Sequence, residues 1–237
     1  MTMSALKPVY LLGGGPGADR SNLRRVLRLA FAETGQPAPD IAYVGAASGD
    51  DRGFFRMIAG YLRAAGSGEV RLAPMAGRGA DLDEARDALT SAALVFISGG
   101  DVEEGVRVLQ TQRMMPLLTR LHKSGVPFLG VSAGSIMLAR QWVRWRDDDD
   151  DSTAEAFACL GFAPVLCDAH GEEDDWHELK MLLRVVGNDA VGYGIPTDGA
   201  LCVWPDGRVT AYGDAVCRFS CRGATVKPMA SLPPAPL

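Results

Sequence analysis

Short apolar blocks alternate, through the first half of the chain, with longer stretches whose apolar positions recur every three to four residues. The blocks are PVYLLG (8–13), IAYVGA (41–46), EVRLA (69–73), ALVFISG (93–99) and VPFLGV (126–131). Continuous apolar runs of this length predict strands covered on both faces. Between them, SNLRRVLRLAFAETG, GFFRMIAGYLRAAG, DLDEARDALTSA and GVRVLQTQRMMPLLTRLHKSG carry helical spacing, and each predicts one helix. Gly35, Gly66 and Gly125 stand where C-caps belong, and Asp19, Ser21 and Asp81 where N-caps belong. The pattern predicts an α/β fold of three layers, a mostly parallel central sheet with helices on both faces. In such sheets ligands bind beyond the carboxyl ends of the strands. The polar, glycine-containing segments GGG, GAASGDD, SGGD and GVSAGS all fall there.

Beyond residue 140 the pattern is less regular. LGFAPVLCDAH predicts a strand ending in polar residues, DDWHELKMLLRVV a helix, and AVGYGI, GALCVWP and RVTAYG three further strands. The five aspartates Asp147–Asp151 are expected to repel one another in a solvated loop; alternating calcium-ligand spacing is lacking. Residues 226–237 are proline-rich and predict a disordered or surface-laid tail after a single domain over 1–225.

Composition narrows the function classes. With 24 basic and 29 acidic side chains in 237 residues, the formal charge of −5 argues against a nucleic-acid partner. No apolar run has the length of a membrane span, and the N-terminal segment lacks the pattern of a signal peptide, so a cytoplasmic, non-membrane protein is expected. The five cysteines are odd in number and lack paired spacing, which predicts buried free thiols rather than disulfides or a zinc site. A homodimer is compatible with all of this.

GVSAGS (130–135) is the segment with the most chemistry. A serine among small residues, where a strand turns into a helix, suits either a tight turn or a nucleophile elbow. In an elbow the amide of Ala133 helps hold an oxyanion, and the glycines of SGGD let the amide of Gly100 do the same. A serine nucleophile also needs a histidine and an orienting acid. Of the three histidines, His122 ends a helix and reads as a surface residue, while His177 lies inside a helix. His170 follows a strand and is the preferred base. Asp198 and Asp168 are both open as the acid. GGGPGA (13–18) has the letters of a dinucleotide fingerprint, but Pro16 removes an amide and the second strand does not end in an acid. No cofactor and no metal is expected.

Taken together, FISGGD, GVSAGS, DAH and GYGIPTDGALCV resemble peptidase family S51, which contains aspartyl dipeptidase and cyanophycinase. The likeness spans roughly residues 8–212 and implies a class I glutamine amidotransferase-like fold. It implies Ser132 as nucleophile, from the family pattern G-x-S-A-G, and His170 as base, from D-x-H. The order serine, histidine, acid separates the chain from α/β-hydrolases, and serine at the elbow argues against glutamine-dependent ammonia transfer.

The chain departs from the family at three places. The family's glutamate position falls on Thr197, with Asp198 one residue later. Asp101 replaces asparagine after the paired glycines. Acidic residues, among them Glu172 and Glu173, follow D-x-H where the family carries residues suited to acidic substrates. The resulting expectation is a serine hydrolase that cleaves a small peptide or amide through a triad of Ser132, His170 and Asp198, with altered aspartyl specificity. Asp101, Glu172 and Glu173 are its candidate substrate-binding residues. An inactive binding protein and an esterase or acyl-transferase are the alternatives.

Overall fold

The computed structural model describes residues 6–15, 20–147, 149–187 and 189–237. The first half runs β1 (Val9–Leu12), α1 (Arg20–Ala32), β2 (Ile41–Val44), α2 (Arg52–Ala65), β3 (Val70–Leu72), α3 (Leu82–Ser91), β4 (Leu94–Ile97), α4 (Val102–Thr111), α5 (Met115–Lys123), β5 (Phe128–Val131) and α6 (Ala133–Leu138). A hairpin of β6 (Gln141–Arg144) and β7 (Glu155–Ala158) follows. Then come β8 (Leu166–Ala169), α7 (His177–Val186), β9 (Val191–Ile195), β10 (Gly199–Val203), β11 (Val209–Gly213), β12 (Val216–Arg222) and β13 (Thr225–Leu232).

The five apolar blocks form a contiguous parallel set, β1-β5-β4-β2-β3, in a seven-stranded sheet of order β11-β10-β1-β5-β4-β2-β3. Strand alternation divides their side chains between two apolar layers. Tyr10, Leu12, Tyr43 and Phe96 pack with Val26, Phe31 and Leu62 of α1 and α2. Val9, Leu11, Val44, Ile97 and Phe128 pack with Leu89, Leu109 and Leu118 of α3, α4 and α5. The three-layer α/β fold read from the sequence is therefore present. Its sheet is mixed, because β10 pairs antiparallel with β1, and β11 antiparallel with β10.

The segment from Gly105 to Gly125, read as one helix, is broken. Arg113 adopts φ 55° between α4 and α5. Pro116 explains the break: it lacks an N–H, and in a continuous helix its ring would press on the carbonyl of Gln112. It sits instead in the first turn of α5, where no donor is required.

The second half builds a separate sheet in the order β13-β12-β9-β8, with β8 and β9 parallel. Glycines alternate along VGYGI because the layer above lies very close. A Cβ at Gly192 would come within 2.8 Å of Leu179, and one at Gly194 within 2.7 Å of Trp176. The tail is a correction to the sequence reading. Residues 225–232 are strand β13, paired with β12, so the boundary expected at 225/226 falls inside an element. Beyond it Ala235 donates to the Ala211 carbonyl at 2.8 Å, carrying the chain back to β11 of the large sheet.

Four of the five cysteines are buried, and all five are free thiols. Asp148 lies outside the described residues, as do Asp19 and Pro16 to Ala18 of the glycine-rich segment. The remaining aspartates of the run sit at the tip of the β6–β7 hairpin, where Asp150 accepts from the Ser152 N–H and Thr153 Oγ1 donates to the Asp147 carbonyl. Among the described residues no group of three or more His, Cys, Asp or Glu side chains is arranged to hold a metal ion, and no helix is long and apolar enough to cross a membrane.

Candidate active site

The site lies where β1, β4 and β5 end and the second sheet meets the first. At the tip of β5 Ser132 adopts φ 55°, ψ −128°, a conformation unfavourable for a side chain with a Cβ. Surrounding contacts hold it there. Its N–H donates to the carbonyls of Leu12 and Gly13, each at 3.0 Å. The flanking glycines permit close packing: a Cβ at Gly130 would lie 2.5 Å from the Gly134 carbonyl oxygen, and one at Gly134 2.1 Å from that of Ile97. Ser135 pins the helix to β1. Its buried hydroxyl donates to the Leu12 carbonyl at 2.8 Å and accepts from the Leu12 N–H at 2.9 Å. The two serines of GVSAGS thus differ in role: Ser135 is a clasp, whereas Ser132 points its hydroxyl outward.

That hydroxyl meets His170. Ser132 Oγ and His170 Nε2 are 2.7 Å apart. His170 follows β8 with φ 47°, and its N–H donates to the Ile195 carbonyl at 2.8 Å, extending the β8–β9 pairing by one residue. Its ring lies over the glycine turn after β1, about 3.5 Å from where a Cβ on Gly15 would stand. Gly13 must be glycine as well, since a Cβ there would come 1.9 Å from the Pro196 carbonyl oxygen. The segment GGG is therefore a docking turn that lets the second sheet carry its histidine to the serine.

The other histidines stand elsewhere. His122, expected at the surface, is half-buried and stacked on Phe162 with ring centroids 4.5 Å apart. Helix α5 packs its C-terminal turn onto the apolar layer, and burial lowers the imidazole's proton affinity. His177 is paired with Asp151 at 3.4 Å, outside the contact with Ser132.

Ser132, His170, Gly100 and Ala133 line one open cleft of about 350 Å³. Gly100 has φ 141° and touches the Ala47 carbonyl so closely that no side chain fits. Asp101 also lines the cleft, yet its carboxylate caps α4 by accepting from the Glu104 N–H at 2.7 Å. Glu172 accepts from the Thr197 N–H at 2.7 Å, which ties the loop after His170 to the turn at the family's acid position. Glu173 is exposed and is not part of the cleft wall. Asp198 lines a small crevice with Leu12, Leu23 and Val26, on the α1 side of the sheet.

Several wall residues were not singled out from the sequence. Trp142, Arg144 and Trp145 of the β6–β7 hairpin form one side; Glu178 closes another together with Asp168, which the sequence offered only as an acid for the histidine. Arg144 is held by Glu103 at 2.7 Å and by Glu155 at 2.7 Å. The aromatic and basic residues in RQWVRWR were the available signal, but nothing in their spacing says that the hairpin folds over a serine.

A model of peptidase family S51 matches residues 9–210. The chain belongs to peptidase family S51. As a member of the family with a hydrogen-bonded Ser132–His170 pair at a strained elbow, it is a serine hydrolase. Solved structures agree with the fold. A peptidase from an acI-B1 actinobacterium superposes with a TM-score of 0.69 at 20% identity, covering 96% of this chain and 97% of that one. A Listeria monocytogenes EGD-e protein with a provisional peptidase E assignment gives 0.65 at 15% identity, covering 88% and 99%. No curated protein matches the S51 chain described here.

Proposed function

We propose that the chain hydrolyses a small peptide or amide through Ser132 and His170. The 2.7 Å contact between Ser132 Oγ and His170 Nε2 carries the proposal. For attack, Nε2 must be unprotonated and the imidazole proton must reside on Nδ1. Ser132 Oγ adds to the carbonyl carbon as Nε2 takes its proton. The N–H groups of Gly100 and Ala133 receive the oxyanion, and the imidazolium then protonates the leaving amine as the C–N bond breaks. Water attacks the acyl-enzyme by the same route and regenerates Ser132. The strained backbone at Ser132 keeps the hydroxyl in the cleft, away from the capping role a serine otherwise takes at a helix start.

In this reading the serine and histidine work chiefly as a pair. His170 is placed by its backbone bond to Ile195 and by the seat over Gly15, while Asp198 lines the crevice beside α1. Asp198→Asn is then expected to lower kcat/KM by less than about tenfold, against about 10⁴-fold for an acid that fixes the histidine tautomer. Aspartyl specificity is altered, because the basic residue of the wall, Arg144, is already neutralised by two carboxylates. A reducing compartment suits the five free thiols.

A fluorophosphonate probe tests the hydrolase assignment. The wild type should be labelled, and Ser132→Ala and His170→Gln should not. Equal labelling of wild type and Ser132→Ala would remove Ser132 from the nucleophile role.

A further inference from the structure

The segment GAASGDD (45–51), after β2, supplies no group to the reaction as derived, yet it contains a buried carboxyl bonded to a loop far from it in sequence. Asp50 is only 8% exposed. Its Oδ2 accepts from the N–H groups of Met75 and Ala76, each at 2.6 Å, in the loop after β3. Its own N–H donates to the Gly45 carbonyl at 3.0 Å, and its φ of 56° lies in the left-handed region. Asp50 therefore closes the loop 45–50 on itself and ties it to the loop of the neighbouring strand. Inside the closed loop, Ala46–Ser48 form a single tight helical turn that ends at Gly49 with φ 63°.

That turn carries the Ala47 carbonyl to the end of β4. The carbonyl accepts from the Asp101 N–H at 2.8 Å. A Cβ on Gly100 would lie 2.0 Å from the same oxygen, so the loop presses directly against Gly100. On its other side Ala47 rests on α4, with its Cβ 3.0 Å from where a Cβ on Gly105 would stand. These contacts bear on the direction of one N–H. The Asp101 N–H belongs to the peptide after Gly100, and the Gly100 N–H to the peptide before it. The two peptides meet at a glycine with φ 141°, which has little conformational preference of its own. Its conformation must be imposed from outside, and the Ala47 carbonyl is the group that touches it.

We propose that Asp50 is a positioning residue for the oxyanion hole: it holds the loop whose Ala47 carbonyl aims the Gly100 N–H at the reacting carbonyl. The role rests on the hydrolase reading above, in which Gly100 receives the oxyanion. Ser132 is held by Leu12 and Gly13, and His170 by Ile195, so neither depends on the Asp50 tie. Loss of the tie impairs stabilisation of the oxyanion and leaves proton transfer from Ser132 to His170 intact.

The test measures how fast a fluorophosphonate labels Ser132. In that step Ser132 Oγ bonds to phosphorus, fluoride leaves, His170 takes the serine proton, and the phosphoryl oxygen occupies the oxyanion position. Asp50→Gly suits the left-handed backbone and removes the tie. It should be labelled about 30-fold or more slowly than wild type, since loss of a whole oxyanion donor costs about 10²–10³. The pH dependence of labelling, which reports His170, should not move. Asp50→Asn keeps an acceptor for both N–H groups and tolerates positive φ, so it should recover the rate to within about fivefold of wild type. Hydrogen exchange at the Asp101 amide should quicken about tenfold or more in Asp50→Gly, with the amides of β4 unchanged. If Asp50→Gly does not fold, Asp50→Ser, which keeps one shorter acceptor, replaces it, with a slowing of about fivefold or more. A rate within about threefold of wild type, a displaced pH profile, unchanged Asp101 exchange, or an Asp50→Asn as slow as Asp50→Gly overturns the role. Labelling of the wild type separates the two readings. A labelled wild type with an unaffected Asp50→Gly removes the positioning role alone, whereas an unlabelled wild type removes the hydrolase assignment and the role with it.

Discussion

Ser135 and Asp168 show how much single side chains decide here. The Ser135 hydroxyl is wholly buried and makes two hydrogen bonds to Leu12. Ser135→Ala leaves the buried Leu12 N–H without its hydroxyl acceptor, while the Leu12 carbonyl keeps only the Ser132 N–H, so thermal unfolding should show a loss of about 1–3 kcal/mol. Activity should fall as well, because the clasp holds the elbow. Asp168 acts on stability through pH. Its carboxyl titrates near 3.8 when unfolded and is pushed up to about 8 by burial and then by Glu178. The folded state therefore binds the extra proton between these values, and stability declines as pH rises through that window. Asp168→Asn keeps an acceptor for the Ala169 N–H and abolishes the titration. Its Tm relative to wild type should improve steadily from pH 4 to pH 8 and level off above; a pH-independent difference would contradict the raised carboxyl. Both residues stand in motifs visible in the sequence, GVSAGS and DAH. Their types and neighbours were legible, but their burial was not.

At the scale of elements, the β6–β7 hairpin and the α4–α5 break carry the lesson. The five parallel strands could be read directly, because a strand buried on both faces must be apolar at every position. The hairpin could not: Trp142 and Val143 are buried while Gln141, Arg144 and Trp145 are half-buried, and tryptophan and arginine suit a cleft wall as well as a solvent face. Arg144 joins the hairpin to α4 through Glu103 and to β7 through Glu155. These pairs are partly exposed and should contribute little to global stability. Arg144→Gln is accordingly expected to change Tm by no more than about 1–2 °C while raising KM several-fold, because the wall loses its anchor. Unchanged KM would place the hairpin outside substrate binding. The helix break is a case of spacing overruled by stereochemistry: apolar periodicity runs through Arg113 and Pro116, but proline cannot continue the ladder.

For the whole molecule, the joint between the two sheets matters most. The turn Pro196–Asp198 leads from β9 in one sheet to β10 in the other, and Gly13 and Gly14 donate to its neighbours Gly199 and Thr197, each at 3.0 Å. The same joint brings His170 to Ser132. The tail adds a second tie, from β13 back to β11. Truncation after Arg222 should lower Tm by several degrees and broaden the unfolding transition, whereas a dispensable tail would leave both unchanged.

What could be read from the chain by itself was whatever local chemistry enforces: buried strands from continuous apolar runs, turns from glycine, and an elbow candidate from a serine between small residues. Its place after a strand made His170 the preferred base, and the family resemblance supported its pairing with Ser132. Tertiary structure alone decided which carboxylates belong to the cleft. Asp101 and Glu172 carry the charge expected of substrate-binding groups, yet both are engaged in backbone hydrogen bonds. Asp168, considered only as an orienting acid, lies buried on the cleft wall. The physical reason is that charge is a property of a residue, whereas desolvation and partnership belong to the packed surroundings, and those come from strands distant in sequence.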